Sequence, residues 1–181
     1  MKNFNLLISA PRFNETDAKA EIWFVLLLCG EKYPIISNLE YQGLITAFSN
    51  LPELEIIAKI KDILQHDPYF FKYVLKIVPV QFVCETNLDL IAKIIKQNYA
   101  TYIDDHESFR ITLKRRKNKL IERDVLINSV ADLLENPVDL EQPDMIIRIE
   151  LLGNFCGISF LESEDIVRPE NRYSQEREEI R

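Results

Sequence analysis

Seven cations fall within fourteen residues of this chain, and no other stretch departs so far from its background. Arg110, Lys114, Arg115, Arg116, Lys117, Lys119 and Arg123 stand against a single acid, Glu122, for a local charge of +6. The chain of 181 residues carries −7 in all, so the other 167 residues sum to −13. An acidic protein with one basic ridge excludes a uniformly basic nucleic-acid coat, but not a local phosphate site. Clustered Lys and Arg neutralise phosphates and release counterions, which makes affinity salt-dependent. Arg adds bidentate phosphate contacts that Lys cannot make. Charge alone does not decide the matter: a solvated basic turn or a localisation tag accounts for it as well as RNA binding does. The nearest aromatics are Phe109 and Phe155, and alternation turns Phe109 towards the core, so a base-stacking platform is not expected.

Other chemistries find little support. Gly is scarce, with 4 in the chain, which argues against a glycine-rich phosphate loop. There is no serine elbow, HExxH or paired CxxC. Asp104, Asp105, His106 and Glu107 could bind a divalent metal, but consecutive residues rarely converge on one ion, and a solvated acidic loop is the preferred reading. Cys29, Cys84 and Cys156 fit no zinc or disulfide framework, which points to a reducing compartment; Cys84 and Cys156 read as small core hydrophobes. The longest apolar run, Ile22–Cys29, has 8 residues against the ~20 of a membrane helix. A cytoplasmic protein with neither catalysis nor a cofactor in this chain is expected.

The elements that must position the ridge follow from changes of hydrophobic period. Phe4–Ile8 reads as a strand. A helix follows from Asn14 or Thr16 to Leu28, apolar almost all round and expected to be buried on more than one side. Strands over Pro34–Asn38 and Gly43–Phe48, a helix over Glu53–Gln65 and a long strand over Tyr73–Cys84 complete a β-α-β-β-α-β order. Pro79 inside the last strand marks an edge, a bulge or a break. That order is ferredoxin-like, with two helices on one face of an antiparallel sheet. The pattern then restarts. Asn87 or Thr86 caps a helix to Tyr102, and Phe109, Ile111 and Leu113 alternate with Arg110, Thr112 and Lys114 along a strand. The basic stretch hands over to a helix over Ile121–Glu135, whose first amides, near Lys119 to Glu122, could also meet a phosphate, while the amides near Asn118 could help to discriminate the bound end. Met145–Leu151 reads as a strand buried on one face, and Gly153-Asn154 as a hairpin turn into Phe155–Leu161. The fold class is therefore α+β: residues 1–80 a ferredoxin-like domain, 81–161 an α/β domain, 162–181 a charged, frayed tail.

Ser108-Phe109-Arg110-Ile111-Thr112-Leu113-Lys114-Arg115-Arg116, then Ala131-Asp132-Leu133, Val138-Asp139-Leu140-Glu141-Gln142-Pro143-Asp144, Ile146–Glu150 and Cys156-Gly157-Ile158-Ser159 together resemble a THUMP domain. Ile77–Cys84 resembles the segment that joins that domain to its N-terminal ferredoxin-like companion. The likeness is strongest to the THUMP adaptors of tRNA cytidine acetylation. It implies a tRNA-binding adaptor that grips the acceptor end and its 3′ CCA, with the companion domain setting the distance to the modified nucleotide. No enzyme domain follows, so the resemblance implies that the chemistry comes from a partner, an RNA acetyltransferase or another tRNA-modification enzyme. ATP and acetyl-CoA would be that partner's. The RNA-binding set expected here is Arg110, Lys114, Arg115, Arg116, Lys117, Asn118, Lys119, Arg123 and Asn154, the cations read from the charge of the ridge and its alternation along the strand. Asp139 is read as a turn or cap, and Asp144 as the start of a strand. Two other readings remain: a ferredoxin-like small-molecule sensor or regulatory subunit, and an enzyme whose site the sequence conceals.

Overall fold

Two four-stranded sheets, each with its own helices and its own core, make up the computed structural model, which describes residues 3–116 and 121–170. The described residues divide into one unit of Asn3–Pro79 with Asp165–Glu170, and another of Val80–Glu164.

In the first unit the order is β1 (Leu6–Ser9), α1 (Glu15–Leu28), β2 (Ile35–Asn38), β3 (Leu44–Phe48), α2 (Glu53–His66) and β4 (Lys76–Pro79). The strands lie in the order β2-β3-β1-β4, every neighbouring pair antiparallel. Leu6, Ile8, Ile22, Leu26, Ile45, Ile57, Ile60 and Ile77 share one buried cluster, and each such side chain contributes about 1.5–3 kcal/mol. Charged groups pin the loops. The Glu21 carboxylate accepts the backbone N–H groups of Lys72, Tyr73 and Val74. Buried Glu31 accepts from the Ser49 hydroxyl at 2.7 Å and from the amides of Tyr33 and Asn50. Gly43 is required twice over: its φ is +76°, and a Cβ there would lie 2.7 Å from the Ala10 carbonyl oxygen.

Three expectations are corrected in this unit. Helix α1 is buried along one stripe, Ala18, Ile22, Val25 and Leu26, not nearly all round. Trp23, Phe24 and Leu28 are 50%, 51% and 54% exposed, because a helix lying on a single sheet covers only one side. The strand expected over Tyr73–Cys84 is two: β4 belongs to the first sheet and β5 (Phe82–Glu85) to the second. Pro79, which has no N–H for a ladder, ends β4. The tail does not fray from 162. Ser163–Asp165 form a 3-10 turn, Ile166 and Val167 are buried, and Val167 exchanges both backbone hydrogen bonds with Ile77. These two apolar side chains find core space within a charged stretch. Residues 171–181 lie outside the described residues.

The second unit runs β5, α3 (Leu88–Tyr102), β6 (Phe109–Arg116), α4 (Arg123–Ala131), β7 (Met145–Leu152) and β8 (Phe155–Leu161). Its sheet order is β5-β8-β7-β6, with β6 and β7 parallel and the other pairs antiparallel. Ile91, Ile95, Phe109, Leu113, Leu126, Ile147, Ile149, Ile158 and Phe160 form its core. Helix α4 is shorter than the expected 121–135, because turns at Leu133 and Leu134 replace its last part. All eight residues of β7 are buried, on both faces rather than one, as suits a strand flanked on both sides.

Candidate nucleic-acid interface

The basic strand β6 is held at its start by the segment Asn136–Asp144. The Asn136 side chain donates to the carbonyls of Asp104 and Glu107. The Phe109 N–H donates to the Pro137 carbonyl, and the Asp139 N–H to the Phe109 carbonyl. Asp139 itself caps a turn, accepting the amides of Gln142 and Glu141, and those bonds hold its carboxyl below the usual range. Asp144 does more than open a strand. Its carboxylate accepts the Ser108 hydroxyl at 2.7 Å and the Ser108 amide at 2.8 Å, while its own N–H donates back to the Ser108 oxygen. Those bonds lower the Asp144 carboxyl as well. This clasp joins the entries of the parallel strands β6 and β7, so the motif that carries the resemblance is a brace for the basic strand.

The ridge is not uniform. Arg110 is half-buried; its Nη1 donates to the Leu140 carbonyl at 3.1 Å, and its buried Nε has no partner among the described residues. Arg123 is exposed, with its Nη1 3.5 Å from the Leu113 carbonyl, at the limit of a hydrogen bond. Lys114, Arg115 and Arg116 are exposed, and no ion pair among the described residues takes them up. Lys117, Asn118 and Lys119 lie outside the described residues.

Topology decides what surrounds these cations. Strands β5, β6 and β7 run in one direction and β8 in the other. One end of the sheet therefore collects the end of β6, the beginnings of α3 and α4, and the β7–β8 hairpin. Arg116 is in register with Leu152, the last residue before that hairpin. Asn154, at its tip, is exposed. Thr86, just before α3, holds the hairpin: its N–H donates to the Asn154 carbonyl and its hydroxyl to the Gly153 carbonyl, each at 2.9 Å. Asn87 then caps α3 by accepting the Leu90 N–H at 2.9 Å. The arrangement brings exposed guanidinium and ammonium groups beside the amide-rich start of α4, a combination suited to phosphate.

Sequence reasoning missed two features here. Thr86 was legible as a possible cap but not as a hairpin tie, because that contact spans 67 residues. Arg148 and Glu150 form a buried ion pair along β7, Arg148 Nε to Glu150 Oε1 at 2.8 Å with Nη2 on the same oxygen. Their spacing of two along a strand placed them on one face and could have suggested it. The acidic loop closes on itself, the Asp104 N–H donating to the Glu107 carboxylate at 2.8 Å. Among the described residues no three metal-binding side chains converge, and no helix is long and apolar enough to cross a membrane.

Residues 85–161 match the family model described as the THUMP domain, so the second unit carries a THUMP domain. A "THUMP domain-containing protein 1 homolog" of Drosophila melanogaster is 28% identical over 110 residues, covering 58% of this chain and 34% of the fly protein. The chain thus spans about one third of the length of that curated relative. Among solved structures, PH1313 from Pyrococcus horikoshii Ot3 is similar at a TM-score of 0.68 and 17% identity, over 92% of this chain and 56% of that one. TrmN from Thermus thermophilus is similar at 0.58 and 12%, over 92% and 47%. A 4-thiouridine synthetase solved as an RNA complex with bound ATP is similar at 0.56 and 14%, over 93% and 43%. At these identities the structural likenesses show a shared fold.

Proposed function

We propose that the protein is a tRNA-binding adaptor that grips the acceptor end, with its 3′ CCA, and presents it to a separate modification enzyme. The enzyme we favour is an RNA acetyltransferase that makes N4-acetylcytidine and itself binds ATP and acetyl-CoA. The observation that carries the reading is the exposed run Lys114-Arg115-Arg116, set at the same end of the sheet as two helix beginnings and the Asn154 hairpin, inside the THUMP match. The 4-thiouridine synthetase of the same fold, solved with RNA, supports it. Arg123 and Asn154 join the contact surface; Lys117, Asn118 and Lys119 remain part of the proposed set. The antiparallel order β2-β3-β1-β4, with α1 and α2 as its connections, supports reading residues 1–80 as a ferredoxin-like spacer beside a THUMP domain of 81–161. A metabolite sensor has no use for three consecutive exposed cations, Lys114, Arg115 and Arg116, at the end of one strand.

In this reading the chemistry belongs to the partner, and the highly purified protein leaves tRNA unacetylated when given ATP and acetyl-CoA. The decisive experiment is an Arg115→Glu, Arg116→Glu double variant, checked for unchanged circular dichroism, in a tRNA gel shift across a salt titration. Wild-type binding falls when the CCA end is removed, and the variant binds intact tRNA far more weakly. Parental affinity in the variant at every salt concentration would reduce the ridge to a solvated turn.

A further inference from the structure

Cys84 on β5 and Cys156 on β8 are direct partners in the strand register. Residues opposed in this way on antiparallel strands project to the same face, with Cα atoms about 4.5–5.5 Å apart. A disulfide spans Cα separations of about 4.4–6.8 Å, so the backbone already holds the two sulfurs at bridging range. Both side chains pack in the core of the second unit, Cys156 fully buried and Cys84 partly open. Cys29 belongs to the core of the first unit. All three thiols are free.

The two sulfurs are not equivalent. The Cys156 thiol donates to the Gly157 carbonyl at 3.7 Å, and the Cys156 side chain beside it holds Cys84 below the ordinary thiol value despite burial and the nearby Glu85. Cys84 in turn, with burial and the charge of Glu150, pushes Cys156 up. The more accessible sulfur is thus also the better nucleophile.

We propose that Cys84 and Cys156 form a reversible oxidative modification site that takes a small disulfide oxidant of the glutathione class. The Cys84 thiolate attacks one sulfur of the oxidant, forming a mixed disulfide and expelling one thiolate, which picks up a proton. Cys156 then gives up its proton, its sulfur attacks the Cys84 sulfur, and the second small thiolate leaves. The two protein thiols lose two electrons and two protons, and the oxidant is reduced to two thiols. The product staples the edge strand β5 to β8, two residues from the point where Thr86 holds the hairpin on one strand and Asn154 on the other. The inference stands independently of the RNA reading.

The full-length protein titrated with oxidised glutathione under native conditions tests it. The expected result is a fall from three free thiols to one, a mass loss of about 2 Da, a Cys84–Cys156 peptide on digestion, and full reversal by dithiothreitol. Cys156→Ser stops at one glutathionyl group on Cys84, and Cys84→Ser leaves Cys156 unmodified; Cys156→Ala replaces the serine variant if circular dichroism shows loss of fold. Cys29→Ala forms the bridge like the parent. Three free thiols after oxidation, a link involving Cys29, or modification of Cys156 in the Cys84→Ser protein would each overturn the assignment.

Discussion

The ridge separates into free and tethered cations, and alanine substitutions should separate with it. Lys114, Arg115 and Arg116 are exposed, so each can surrender a phosphate contact without disturbing the fold. Every lost contact flattens the log–log salt dependence by about 0.7 for single-stranded and 0.9 for duplex RNA-like targets, taking the DNA values as a guide. Against a 1 M reference this is about a five- to eightfold loss of affinity at 0.1 M salt per contact. The triple variant Lys114→Ala, Arg115→Ala, Arg116→Ala is expected to bind about 100- to 500-fold more weakly at 0.1 M salt, with the slope reduced by about 2–3. Arg110→Ala behaves differently. Its guanidinium is half-buried and tied to the Leu140 carbonyl, so it loses about 0.5–1.5 kcal/mol of stability and changes the slope less than Arg115→Ala. Filter binding between 50 and 300 mM salt, paired with urea unfolding, measures both. A triple variant with the parental slope, or an Arg110→Ala protein of parental stability with the largest slope change in the series, would refute the division.

Further outcomes follow from the braces of the fold. Glu31 is held at about 2, below the 4.5 of a free glutamate, by the Tyr33 amide, the Ser49 hydroxyl and the Asn50 amide. Its contribution is therefore complete above pH 4.5 and fades as the pH falls towards 2; Glu31→Gln lowers Tm at pH 7, and the gap to the parent narrows at pH 3. Gly43→Ala meets both a positive φ and the Ala10 carbonyl, and costs more than about 1 kcal/mol in urea unfolding. Asn87→Ala removes the α3 cap and costs about 1 kcal/mol by the same measurement.

Period and punctuation made most of the elements legible. The alternation of Phe109, Ile111 and Leu113 with Arg110, Thr112 and Lys114 identified β6, and Gly153-Asn154 identified the hairpin between β7 and β8. What remained hidden depended on contacts distant in sequence. An apolar surface such as Trp23 and Phe24 looks the same in sequence whether or not something covers it; here a single sheet covers the opposite stripe. Pro79 signalled a break, but only the pairing of β4 with β1 and of β5 with β8 shows that the break changes sheets. At the candidate site the sequence grouped Arg110 with Lys114–Arg116 by charge, since nothing local reveals that the Leu140 carbonyl, 30 residues away, holds Arg110. Val167 was read as part of a polar tail because two apolar residues carry no period.

The pairing of Val167 with Ile77 bears on the order of events at the ribosome. Strand β4 emerges early, yet the residue that hydrogen-bonds its middle is made only after all of Val80–Glu164. At the usual ~5–20 residues per second of synthesis, β4 waits several seconds with one edge unpaired while the inserted stretch is translated. A nascent chain stalled at residue 161 would hold the first sheet in that open state. Vectorial translation therefore completes the inner unit before the outer one, and the earliest strands of the chain are among the last to be closed.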